Sequence, residues 1–300
     1  MAASFVAERL EKNPIIHPGL PGLEGEAGGN INGPSLIRVP DWVNQPLGRY
    51  YLYFAHHQGQ YIRLAYADRL EGPWRIHAPG VLRVEDGPGR AHIASPDVHV
   101  DEKARCIRMY FHMPAVEKGG GQVSFLALSE NGLDFSVQSE VLGKSYFRVF
   151  SHEGHYYALA KYDNVDGVLY RSADGLGGFV EGARLMPQVR HTALLPEGET
   201  LHVFFSRIGD APEAILHTAF DLRQDWRAWG PGPESPLLEP ETDWEGAELA
   251  IEASRPGAMH RPVRQLRDPA VFVEGDRFYL LYSVAGEQGI AIANLVRQEA

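Results

Sequence analysis

Three sets of side chains in this sequence have the types needed for proton transfer or charge stabilisation. An Arg-Asp-Pro at 267–269 puts Asp268 beside Arg267, whose positive charge would keep the carboxylate ionised and fit to act as a base or to stabilise a developing cation. A second aspartate, Asp97, stands in SPDVHV, and the acidic stretch WEGAELAIE offers Glu245, Glu248 and Glu252. Histidines make the third set: His56 and His57 side by side, then His92, His112 and His191, residues that can pass a proton near neutral pH or ligate a cation.

What must position these groups is a repeated phrase, an apolar strand, a Gly-containing turn, a Tyr/Phe-rich strand, a short loop and a third alternating strand. It reads DPAVFVEGDRFYLLYSVAGEQGIAIANL near the C-terminus and GPSLIRV…RYYLYFAHHQGQYIRLAYADRLEGPW near the N-terminus. Three further copies begin at Ser95, Tyr146 and His191. Short strands recurring at roughly 40 to 50 residues per unit predict propeller blades. Such strands are dense in aromatic and β-branched residues and too short for ordinary helices, and a single unit cannot bury both of its faces without neighbours. The fold expected is all-β, a five-bladed β-propeller in one domain over 1–300. Its blades start near 33, 95, 147, 191 and 268, with a loop-dominated insertion at about 228–262. The segment 4–12, SFVAERLEK, is expected as a short helix.

Composition sets outer bounds. With 300 residues and 44% hydrophobic content the chain can bury one large core. Its single cysteine, Cys106, provides neither a disulfide frame nor a zinc cluster. A net charge of −11 argues against nucleic acid as a partner, since phosphate-backbone binding relies on basic surfaces. No basic stretch followed by an apolar run opens the sequence and nothing approaches a membrane span, so a cytoplasmic location without a membrane partner is expected.

In a propeller, the loops entering each innermost strand and the loops joining its second and third strands open on one end of the ring. The slots before the five innermost strands hold Gly33, Ser95, Phe147, His191 and Asp268; one step earlier stand Asn32, Ala94, Tyr146, Arg190 and Arg267. The second-to-third-strand loops begin at His56 and His57, His112, Lys161, Ser206 and Ser283. Asp97 lies two residues beyond its slot and so shares that face of a period-2 strand. So many polar groups at one mouth predict a site for a polyhydroxylated or anionic ligand, held by Asn32, His56, His57, His112, Arg148, Arg190, His191 and Arg267. The triple glycine at 119–121 reads as a flexible connection, and GEQGIA at 286–291 as a turn without a nucleophile elbow.

The Arg-Asp-Pro followed by AVFVEGDRFYLLYS, together with YYLYFA…IRLAYADRLEGPW, resembles the five-bladed propeller glycoside hydrolases of family 43 and their relatives in families 32, 117 and 130. The resemblance extends over nearly the whole chain. It implies a carbohydrate substrate, with Asp268 as base or charge stabiliser, Asp97 as a second carboxylate that tunes the acid, and Glu245, in a Glu-Gly like that around family 43 acids, as the proton donor. The first blade departs from the pattern: NINGPS carries Asn32 and Gly33 where those families place an aspartate. Family 117 relatives use a histidine as acid and family 43 members often hold a central cation near a histidine. The resemblance therefore also implies His191 as an acid or as a ligand to a calcium ion at the ring axis, with no other cofactor required. The function expected is hydrolysis of an oligosaccharide or small glycoside. A phosphorylase, a His/metal-dependent enzyme and a non-catalytic carbohydrate-binding propeller are the alternatives.

Overall fold

The structure is a computed structural model that describes residues 4–116 and 121–298; Gly119 and Gly120 of the triple glycine lie outside the described residues. Strand β1 (Ser4–Arg9) comes first. Four strands come next as β2 (Asn32–Arg38), β3 (Tyr50–Ala55), β4 (Tyr61–Ala67) and β5 (Arg75–Arg83). After them stand β6 (Ala94–Asp101), β7 (Cys106–Pro114), β8 (Gln122–Ser129) and β9 (Ser136–Val137), then β10 (Gly143–His152), β11 (His155–Tyr162), β12 (Asp166–Ser172) and β13 (Val180–Leu185). The chain continues with β14 (Val189–Glu197), β15 (Thr200–Arg207), β16 (Ile215–Asp221) and β17 (Ser235–Leu238), and closes with β18 (Arg267–Glu274), β19 (Arg277–Ser283) and β20 (Ile290–Gln298).

All pairings between these strands are antiparallel, and they form three four-stranded sheets and one eight-stranded sheet. The larger sheet is joined at its middle only through Gly143 opposite Ser124 and Lys144 opposite Val123, so we read it as two units, β6–β9 and β10–β13. The first strands of the units touch in a closed cycle, β2 to β6 to β10 to β14 to β18 and back to β2. The all-β propeller expected from the repeat is the fold observed. Within the stretch read as an insertion, Ser235–Leu238 is the outer strand of the fourth unit; residues 239–262 are irregular apart from a 3-10 turn at Asp243–Glu245.

Packing between units obeys the repeat. On the second strand of the first unit, the Tyr53 hydroxyl donates to the Gly132 carbonyl in the turn after β8 (2.9 Å); one unit on, Tyr110 donates to Gly175 in the turn after β12 (2.7 Å). Both turns are closed by a serine hydroxyl, Ser129 or Ser172, that accepts the glycine N–H. Both glycines have left-handed backbones, with φ of 75° and 72°. A Cβ on Gly132 would meet the Tyr53 hydroxyl at 2.6 Å, and one on Gly175 the Tyr156 ring at 2.7 Å. Only glycine suits both the backbone and the space.

The segment expected as an N-terminal helix is instead strand β1, paired antiparallel with β20 over Ser4–Arg9. The sheet ending in β20 has an open edge, and filling it with six residues satisfies backbone groups that an isolated short helix would leave to water. Phe5 anchors the strand against the next unit, edge-on to His202 at 4.9 Å, Phe204 at 5.5 Å and His217 at 5.4 Å. The two histidines share a 3.1 Å contact between Nδ1 of His202 and Nε2 of His217, and Glu197 lies 3.4 Å from Nε2 of His202. Arg9 clasps the other end of β1 through Glu245, with Nε donating at 2.8 Å.

This packing predicts two outcomes. Gly175→Ala should cost roughly 1 to 3 kcal/mol of stability in urea denaturation, through backbone strain and the displaced tyrosine, while an exposed glycine with open space, such as Gly154, should tolerate the backbone-compatible change to Asn. Burial, with His202 beside it, pushes His217 down from 6.5 to about 4. The unfolded chain therefore binds more protons than the folded one between those values, and this contribution to stability, complete above pH 6.5, is lost as pH falls toward 4. Thermal melts of the wild type should fall more steeply over that window than those of His217→Gln.

Candidate active site

Each innermost strand begins with an irregularity in its pairing to the next strand, between Asn32 and Ser35, Ala94 and Asp97, Ser145 and Arg148, Val189 and His191, and Arg267 and Ala270. In four of the five, the residue after the first pair is left-handed: Gly33 at φ 60°, Ser95 at 53°, Tyr146 at 63° and Asp268 at 47°. A bulge of this kind re-aims one side chain out of the ladder, and the strain at non-glycine positions has to be held by the surroundings. The equivalence also moves the third slot by one residue, from Phe147 to Tyr146.

These bulges surround a mouth lined by Asn32, Ser95, Tyr146, His191 and Asp268, with His112 from β7 and His57, His92 and Glu287 from the loops. The remaining cavity is small, about 10 Å³, close to the space needed for one water. Asp268 is buried at the centre, Oδ1 at 2.7 Å from Nδ1 of His191 and Oδ2 accepting from the Ser283 hydroxyl at 3.1 Å. Burial alone would raise its pKa, but His191, Arg267 and Ser283 outweigh it and hold the carboxyl well below the usual range. Tyr146 lies between His112 and His191, its ring tilted to both, with centroids 4.4 and 4.8 Å away. Burial pushes both histidines down, His112 furthest, so that both are neutral at pH 7. Burial and neighbouring Arg190 bring the Lys161 ammonium down to about 7.

The second mouth carboxylate is Glu287. It accepts from Arg267 Nη1 at 3.1 Å, from Asn32 Nδ2 at 3.4 Å, from the Met259 N–H at 3.3 Å and from Asn30, and His57 Nδ1 lies 3.7 Å away. Burial raises this carboxyl, but His57 and Arg267 bring it below the usual value despite Asp268 nearby. Behind it runs a buried chain of alternating charge: Arg267 Nε lies 3.2 Å from Glu213, which accepts from Arg190 Nε at 2.7 Å. Neither Glu287 nor Glu213 is anticipated by the strand-start slots. Both sit in second-to-third-strand loops, the same loops expected to open on the mouth, a few residues past their first positions.

A protein of Acanthamoeba polyphaga mimivirus, the uncharacterized protein R118, is 35% identical to this chain, covering 96% of it and 89% of the viral protein. The chain belongs to the family of this viral protein. No protein-family model matches it. Among solved structures, a thermostable family-43 glycoside hydrolase superposes with a TM-score of 0.60 at 14% identity, over 90% of each chain. The catalytic domain of the Coprinopsis cinerea GH62 α-L-arabinofuranosidase gives 0.62 at 11% identity, over 99% of this chain and 98% of that one. The chain thus shares the fold of the family-43-like propeller glycoside hydrolases.

Within this fold, several expected site residues take other roles. Glu245 is not at the mouth: fully buried, it accepts from Arg9, from the Tyr282 hydroxyl at 3.0 Å and from the N–H groups of Glu241 and Thr242, and its capacity is spent on pinning β1. Asp97 points into a separate axial channel, where it accepts from the Val149 N–H at 2.7 Å and contacts His99 at 2.8 Å. Arg267, with no exposed surface, and Arg190 are bound to Glu213 behind the mouth. Arg148 spans three innermost strands, its Nε on the Thr192 carbonyl at 3.2 Å and its Nη1 on that of Pro96 at 3.2 Å. His56 does not line the mouth cavity, whereas Asn32, His57, His112 and His191 do.

At His191, where a calcium ion held by a carboxylate, water and a single histidine is expected, the carboxylate in contact is Asp268. Among the described residues no group of three or more His, Cys, Asp and Glu side chains is arranged to hold a metal ion. The charges of Lys161 and Arg190 act on His191, and Arg148 supplies positive charge to the axial carbonyls; a hard cation prefers several oxygens. Among the described residues no helix is long and apolar enough to cross a membrane.

Glu245→Ala should lower stability by roughly 2 to 3 kcal/mol in urea denaturation, toward the low end for a broken buried pair because Arg9 keeps part of its solvent. Any turnover per folded molecule should be unchanged, which separates a clasp for β1 from a proton donor.

Proposed function

We propose that this protein is a glycoside hydrolase that acts on an oligosaccharide or small glycoside at the mouth of the ring. The observation that carries this reading is the grouping of Asp268, Glu287 and His57 in one axial mouth, with both carboxylates buried and ionised, on the fold of family-43-like hydrolases. Glycoside hydrolysis needs one group to protonate the leaving oxygen and another to activate water or to steady the sugar's positive charge. Asp268 is the base: it is anionic, aligned by His191 and Ser283, and faces a space of about one water. As the glycosidic C–O bond breaks, the water oxygen bonds to the anomeric carbon and gives its proton to Asp268. Glu287 lies below the usual carboxyl range and cannot be the resting acid. The leaving-group proton is assigned to His57, which is about a quarter exposed at the mouth and close to Glu287. His112 and His191 are held neutral and serve to orient.

A phosphorylase is less well supported, since Arg148, Arg190 and Arg267 are each engaged with protein acceptors. Hydrolysis of aryl xylosides, aryl arabinofuranosides and natural oligosaccharides tests the assignment. Asp268→Asn should lower turnover by about 10² or more with the fold retained, and His57→Gln should lose less on aryl glycosides, whose leaving group needs no proton. Because Asp268 is depressed, the acidic limb of kcat/KM should fall below the ordinary carboxylate range. Full turnover in Asp268→Asn would remove the base assignment, and saccharide binding without turnover in wild type would leave a carbohydrate-binding propeller.

A further inference from the structure

The five innermost strands run from the mouth into a second, larger cavity of about 590 Å³, lined by their later residues from Ser35, Asp97, Arg148, Ala193 and Ala270 onward. It opens at the opposite end of the ring, where Trp42 and Asp41 lie beyond β2 and Glu102 beyond β6. Its volume is that of a small-molecule site.

We propose that this axial channel binds a neutral saccharide, independently of the chemistry at the mouth. Two charged side chains of opposite sign share its wall. Asp97 spends Oδ2 on the Val149 N–H and His99, while its Oδ1 makes no hydrogen bond among the described residues. Arg148 spends Nε and Nη1 on backbone carbonyls, while its Nη2 makes none among the described residues. One site thus offers an acceptor that cannot donate and a donor that cannot accept. An anion entering the channel is opposed by Asp97 and by Asp41 and Glu102 at the rim; a cation is opposed by Arg148 and by Arg38. A hydroxyl both donates and accepts, so adjacent hydroxyls of one sugar can serve Asp97 and Arg148 together without carrying charge. Ser35 and His99 add further polar groups to the wall, Leu36, Val98 and Val271 border it while packing into the cores between units, and Trp42 adds aromatic surface at the rim, which suits the C–H face of a sugar ring.

Isothermal titration calorimetry with xylose, arabinose, glucose and xylobiose tests the proposal, with inorganic phosphate and spermidine as charged controls. It is run in the Asp268→Asn background, so that the mouth chemistry is disabled. At least one neutral sugar should bind with one-site stoichiometry there. Asp97→Asn, which keeps the shape of the side chain, should weaken it about 10-fold or more, as loss of a hydrogen bond to a charged group would. Trp42→Ala, a rim change outside the strand ladder, should weaken it several-fold with the melting temperature retained. No heat from any sugar overturns the proposal, as does binding unaffected by both channel variants. Stronger binding of phosphate or spermidine than of any sugar also overturns it. Sugar binding present in wild type but abolished by Asp268→Asn assigns the sugar to the mouth instead, supporting the hydrolase and refuting the channel site.

Discussion

Arg267 has no exposed surface and stands between two buried carboxylates, Glu213 and Glu287. Taking three such charges out of water is costly, and the arrangement persists only because each has a partner: Arg190 on the far side of Glu213, Asn30 and Asn32 on Glu287, and Gln265 on Arg267. The chain of charge ties the fourth, fifth and first units together behind the mouth. Removing Arg267 would leave Glu213 and Glu287 buried, each without one of its charged partners. The same ladder sets the electrostatics in front of it, since Arg267 helps keep both Asp268 and Glu287 ionised.

The bulges at the strand starts are the other half of the site. An unbroken ladder would alternate side chains between the two sheet faces. A left-handed residue interrupts that alternation, and at Asp268 and Tyr146 it places side chains among the mouth residues that the packing of His112, His191 and Ser283 then holds. Closure of the ring stabilises these strained positions. β1 completes the sheet that ends the chain, with Phe5 locked against the neighbouring unit and Arg9 on Glu245. The inner strands thereby serve two ends: Asp268 and the other bulge residues at the mouth, and Asp97, Ala193 and Val271 in the channel beyond Arg148.

The sequence alone determined the repeated unit, its all-β character and the position of Asp268 at the start of an innermost strand, because these depend on local periodicity and turn chemistry. The roles of the charged groups were not legible. Glu245 shares its Glu-Gly with an acid of a known family, yet Arg9, 236 residues away, claims it. Glu287 reads as an ordinary turn residue, and becomes part of the mouth only because Asn30, 257 residues away, and Arg267 converge on it. β1 has a helix-like local composition, but the open edge of β20 decides its conformation. In each case the deciding partner is far away in sequence, and ring closure alone brings it near; local pattern carries no record of that distance.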